Sequence, residues 1–95
     1  MAFRKVAPNE VQHSTGFAVR VRNRFEFEYA EDDYTATIAR EPGPPKAGMY
    51  PSSLTRWDAP HEADPLSRKK KEEIIRRVCA GLEFMDPGYV EVLDG

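Results

Sequence analysis

The sequence predicts an α+β fold: a small antiparallel sheet, a meander of about three strands plus a short C-terminal strand, packed by one main C-terminal amphipathic helix. Two observations carry this. Between positions 17 and 29 apolar and charged residues alternate one by one, as in a sheet with one face buried and one in water. Between 67 and 85 apolar residues recur every three or four positions instead, as along one side of a helix. Size agrees with both. A chain of 95 residues, 40% apolar and 32% charged, has material for one modest core, too much for disorder and with too much charge for a membrane span.

Residues 1–16 mix Pro8, Asn9, Ser14, Thr15 and Gly16 with scattered apolar side chains, and read as an N-terminal arm with a short extended piece over 3–7. A single domain is expected over 17–95. Its first row is Phe17, Val19, Val21, Phe25, Phe27 and Tyr29, against Arg20, Arg22, Arg24, Glu26 and Glu28 on the other side. Asn23 interrupts the apolar row and tolerates turn conformations. A three-residue loop at 22–24 pairs Val21 with Phe25, Val19 with Phe27 and Phe17 with Tyr29, and sets Arg20 opposite Glu26. A four-residue polar connection at 30–33 then pairs Tyr29 with Tyr34, Phe27 with Ala36 and Phe25 with Ile38. The strands fall at roughly 17–22, 24–29 and 34–40.

Three prolines and two glycines make 41–48 a loop. Met49 to Pro51 suits an extended piece, and Ser52 to Trp57 either a helical turn capped by Ser52 or a continuing strand. Pro60 and Pro65 break the next stretch. Ser67 is a good N-cap, with Leu66 placed to pack back onto the helix. Ile74, Ile75, Val78, Cys79, Leu82 and Met85 form its stripe, and Asp86-Pro87-Gly88 stops it. Residues 89–93 make the closing strand.

Catalytic signatures are missing. His13 and His61 have no partner at ligand spacing, and there is no CxxC, HExxH, glycine-rich phosphate loop or Gly-x-Ser-x-Gly. The reading is a non-enzyme with no metal and no cofactor. The paired acids Asp32-Asp33 and Glu72-Glu73 suit solvated surface. The single cysteine, Cys79, cannot form an internal disulfide, and the first residues lack a signal-like apolar run, so a cytoplasmic location is expected. A net charge of −2 gives no general pull toward nucleic acid or anionic lipid.

Three surface constellations stand out. Glu26, Glu28, Glu31, Asp32 and Asp33 put five acids and no base into eight residues, an electronegative face that would steer a basic partner. Arg56 and the lone Trp57 suit either a protein-binding hot spot or a lid on the core. Arg68, Lys69, Lys70 and Lys71, with Arg76, could contact phosphates, although the lack of interleaved aromatics and the adjacent Glu72 and Glu73 disfavour nucleic acid. A third class is an assembly subunit that pairs a strand edge near Leu93 or Phe17.

The run Tyr50-x-x-Ser53-Leu54-x-x-Trp57-Asp58-x-Pro60-His61, then Pro65-Leu66-Ser67 and a helix with Ile74-Ile75 and Leu82-Glu83-Phe84, resembles the Immunity protein 74 family of bacterial polymorphic toxin systems. The likeness extends over about residues 16–93. It implies a compact α+β domain with a final amphipathic helix, acting by binding and neutralising a cognate toxin domain, with no catalytic residues. Two departures are visible: the helix opens with the bases Arg68 to Lys71 where the family has acids, and Ala30 to Asp33 replaces a glycine-rich turn. Both fall where such proteins would diverge to match their own toxins.

Overall fold

A computed structural model describes residues 2–43 and 46–93. Among the described residues the strands are β1 (Phe3–Ala7), β2 (Glu10–His13), β3 (Phe17–Asn23), β4 (Glu26–Glu31), β5 (Tyr34–Glu41), β6 (Ala47–Tyr50) and β7 (Val90–Val92). A 3-10 turn, Pro51–Ser53, follows β6, and the helix α1 (Arg68–Met85) precedes β7. The strands form one sheet in chain order, curled into a half-barrel. Neighbours are antiparallel except β6 and β7, which run parallel because α1 crosses between them.

The alternation fixes which side curls inward. Val11, Phe17, Val19, Phe27, Tyr29, Ala36, Ile38 and Met49 are buried on the inner face, and α1 lays Ile74, Val78 and Leu82 against them. Each such large side chain contributes about 1.5–3 kcal/mol through its removal from water. The helix comes very close at Gly81, where a Cβ would lie 2.8 Å from Val19 Cγ2 and 3.3 Å from Val11 Cγ2. Leu54 and Trp57 join the same core from the segment after β6. No helix among the described residues is long and apolar enough to cross a membrane.

The sheet is larger than the expected meander of about three strands plus one. Residues 3–13, expected as an arm, form the hairpin β1–β2, and β2 pairs with β3 so that Val11 lies opposite Val19 in the core. Phe17, expected near a free edge, sits in an inner strand, while β1 and β7 are the edges. Ala47 and Gly48 belong to β6 rather than to a loop. The turn after it begins at Pro51 without a side-chain cap from Ser52; Ser53 Oγ instead accepts from the Ala39 amide at 2.8 Å and donates to the Tyr50 carbonyl at 2.6 Å.

Both hairpins also slide by two residues from the expected register. Val21 faces Phe27, Val19 faces Tyr29 and Phe17 faces Glu31, while Phe27 faces Ile38 and Tyr29 faces Ala36. A shift of two preserves the faces, so the buried and wet sides are those expected, and Arg20 pairs with Glu28 rather than Glu26. A bulge between Val21 and Asn23 absorbs the odd residue, and Asn23 Oδ1 accepts from the Phe25 amide at 2.8 Å. Phe25 thereby leaves the apolar row for the hairpin tip. The second turn is tight, with Asp32 at φ +53° between the paired Glu31 and Tyr34. The helix follows expectation: Ser67 Oγ accepts from the Lys70 amide at 3.1 Å, Leu66 packs on the core, and Gly88 at φ +78° turns the chain into β7.

Candidate functional site

The five acids expected as one electronegative face are divided by the fold. Glu31 follows Tyr29 on the inner side, beside the first turns of α1. Tyr29 Oη donates to Glu31 Oε1 at 2.5 Å and accepts from Arg77 Nη1 at 2.9 Å. Lys70 Nζ donates to both Glu31 oxygens, at 2.7 and 3.0 Å, and to Glu73 Oε1 at 2.8 Å. Arg77 lies 3.3 Å from Glu73 and covers the Phe17 ring with its guanidinium at 4.7 Å. Lys70, Glu73 and Arg77 share one helix face through their three- and four-residue spacing.

The titration of these groups follows from their surroundings. Burial, then the hydrogen bond to Glu31, pushes the Tyr29 phenol up to about 12. For Glu31 burial acts upward, but the hydrogen bonds from Lys70 and Tyr29 and the charges of Lys70 and Arg77 outweigh it and hold the carboxyl below its ordinary value. The Lys70 hydrogen bond does the same for Glu73. Burial works against the Lys70 ammonium, yet its two carboxylate partners leave it above its usual range. This cluster is closed on itself and clamps the helix to the sheet.

The outer face is different. Glu28 is engaged by Arg20, whereas Glu26 takes a hydrogen bond from Asn23 at 2.9 Å and meets Arg22 only at 4.0 Å. Thr35 and Thr37 alternate with buried Ala36 and Ile38, so both hydroxyls point outward. They donate to Asp58 Oδ2 at 3.0 and 2.9 Å, and the Asp58 amide donates to the Thr35 carbonyl at 2.8 Å. An open cleft of about 540 Å³ results, lined by Asn23, Phe25, Glu26, Thr37, Arg56 and Asp58 among others. It unites Glu26 and Arg56, two residues the sequence singled out. Phe25 and Asp58 are not among the site candidates of the sequence: Phe25 stands in the apolar row, and Asp58 enters only as part of the run that carries the family resemblance.

The remaining candidates lie apart. Asp32 and Asp33 are exposed in the β4–β5 turn. Trp57 is 6% exposed and packs 4.9 Å from the Tyr34 ring, which makes it a lid on the core rather than an open anchor. Tyr34 stacks on His61 at 3.9 Å and donates to Asp64 at 2.5 Å, tying down the loop that follows Trp57. In the basic cluster Lys70 is consumed by Glu31 and Glu73, and Arg68 lies 3.7 Å from Glu72. Lys69, Lys71 and Arg76 have no ion pair among the described residues. Burial pushes the Cys79 thiol up, as suits an inert side chain on the helix stripe. Among the described residues no group of three His, Cys, Asp or Glu side chains is placed to hold a metal.

A half-barrel closed by one helix on its inner face, with an open polar cleft and an exposed aromatic on its outer face, defines a small α+β domain suited to binding. Residues 17–89 match the family described as Immunity protein 74, and the chain belongs to that family. No match was found among curated proteins or among solved structures.

Proposed function

We propose that this protein is a non-catalytic, cytoplasmic immunity protein that binds a cognate bacterial toxin domain of a polymorphic toxin system and blocks it stoichiometrically. The observation that carries this reading is membership of the Immunity protein 74 family over residues 17–89. The division of charge described above supports a particular use of the surface. Glu28 and Glu31 are spent on internal partners, which leaves Glu26 and Arg56 at the outer cleft, and Asp32 and Asp33 at the turn beyond the other end of β4, for a partner. The test is survival of cells expressing the toxin domain encoded beside this protein, with and without the protein. Rescue together with one-to-one co-purification supports the reading; loss of viability despite the protein, with the toxin domain shown to be active, rejects it.

A second reading, nucleic-acid binding, is favoured by one observation: Lys69, Lys71 and Arg76 lack internal ion-pair partners among the described residues. It predicts salt-dependent binding to DNA or RNA that disappears when all three become Glu.

A further inference from the structure

The outer cleft has the chemistry of a seat for a cationic side chain. Asp58 presents a carboxylate already fixed from below, with both threonine hydroxyls on Oδ2 and its amide on the Thr35 carbonyl. Its Oδ1 has no hydrogen-bond partner among the described residues. Across the cleft, Glu26 has a single close hydrogen bond and a cation only at 4.0 Å. The cleft therefore holds two carboxylates with acceptor positions to spare; Arg56 is its one lining base, and among the described residues neither carboxylate has an ion pair closer than the 4.0 Å contact of Glu26 with Arg22.

Phe25 supplies the second half of the argument. It is 63% exposed, the most exposed of the large apolar residues among the described ones, and it stands in a two-residue turn where a polar residue would serve the backbone equally well. The tip that carries it is held in place: Arg40 donates from its amide to the Phe25 carbonyl at 2.8 Å and from Nη1 to the Asn23 carbonyl at 3.0 Å. The Arg24 guanidinium lies 5.9 Å from the centre of the Phe25 ring, which stays mostly in water all the same. A pinned aromatic that already attracts a cation, beside carboxylates with acceptor positions to spare, matches what a guanidinium recognises, an apolar surface for its plane and paired acceptors for its edge.

We propose that an arginine-bearing loop of the protein partner docks in this cleft, its guanidinium against Asp58 Oδ1 and Glu26 and its plane against Phe25. This assignment rests on the immunity reading and names the surface that serves it. The experiment measures the affinity of the purified neighbouring toxin domain for the wild-type protein and for Phe25→Ala, Glu26→Gln and Asp58→Asn. Asn keeps an acceptor oxygen for the two threonines, so the fold should survive, and unchanged melting temperatures confirm it.

Losses of about tenfold or more for Phe25→Ala and Asp58→Asn, with a smaller loss for Glu26→Gln, are expected. Double-mutant cycles against each arginine and lysine of the toxin should find one arginine coupled to Asp58. Wild-type binding that all three variants retain overturns the docking site while leaving the immunity reading standing. Losses without coupling to any basic residue overturn the guanidinium chemistry. Absence of wild-type binding removes the immunity reading, and the docking site with it.

Discussion

The two carboxylate-bearing faces of this half-barrel use similar residues to opposite ends. On the inner rim Glu31 and Glu73 meet Lys70 and Arg77, and each charge finds its complement within the chain. On the outer face Glu26 and Asp58 are positioned with equal care by Asn23, Thr35 and Thr37, yet no cation answers them closely. An acid that is both positioned and charge-balanced belongs to the structure. One that is positioned and left unbalanced is available to something outside it.

That contrast can be broken from either side, beginning with the core that both faces share. Leu82→Ala, at a fully buried helix position, should cost about 2–4 kcal/mol in denaturant melts. Gly81→Val should cost about 1–3 kcal/mol, because the added methyl groups drive α1 off Val19 and Val11. Next comes the closed network. Glu31→Gln should lower stability by about 1–2 kcal/mol, since the partly buried Lys70 and the fully buried Tyr29 lose a charged acceptor.

Acid sensitivity sharpens the same point. Glu31 and Glu73 are held below the ordinary carboxyl value of 4.5, so their contribution is complete above that pH and is lost as pH falls through their lower folded values. Melting temperatures between pH 6 and pH 3 should therefore drop less steeply in Glu31→Gln than in the wild type. The smallest effect belongs to the outer face. Phe25→Ala should change stability by less than about 0.5 kcal/mol, because the ring is mostly in water. A large loss there would show that Phe25 is a structural residue and undo the contrast.

How far the sequence reveals this arrangement depends on which signal each part uses. The inner face is legible because burial imposes a period of two, and Phe17, Val19, Phe27, Tyr29, Ala36 and Ile38 all obey it. Register is not legible from the same signal, since sliding a strand by two residues returns an identical pattern. What decides it is turn chemistry: the Asn23 bulge and the left-handed Asp32 make both connections shorter than the apolar row suggests. The hairpin β1–β2 is hidden because Val11 is its only fully buried apolar residue. Of the outer cleft, Glu26 and Arg56 are visible as charges, but Asp58 reaches Thr35 and Thr37 across more than twenty positions, and no local pattern brings them together. The helix needs nothing nonlocal, and its cap and stripe were legible throughout.

The order of the sheet has a consequence for how the molecule is made. Because each strand lies beside the one synthesised before it, a chain emerging from the ribosome can add β1 through β6 one after another, each docking on an edge already present. Only β7 breaks this progression. Its parallel place beside β6 is reached after residues 51–89 have been laid down, including the whole of α1, which must cross the sheet before β7 can seat. Assembly is thus sequential up to its final step, and the open inner face of the nascent sheet stays uncovered until the last third of the chain has been translated.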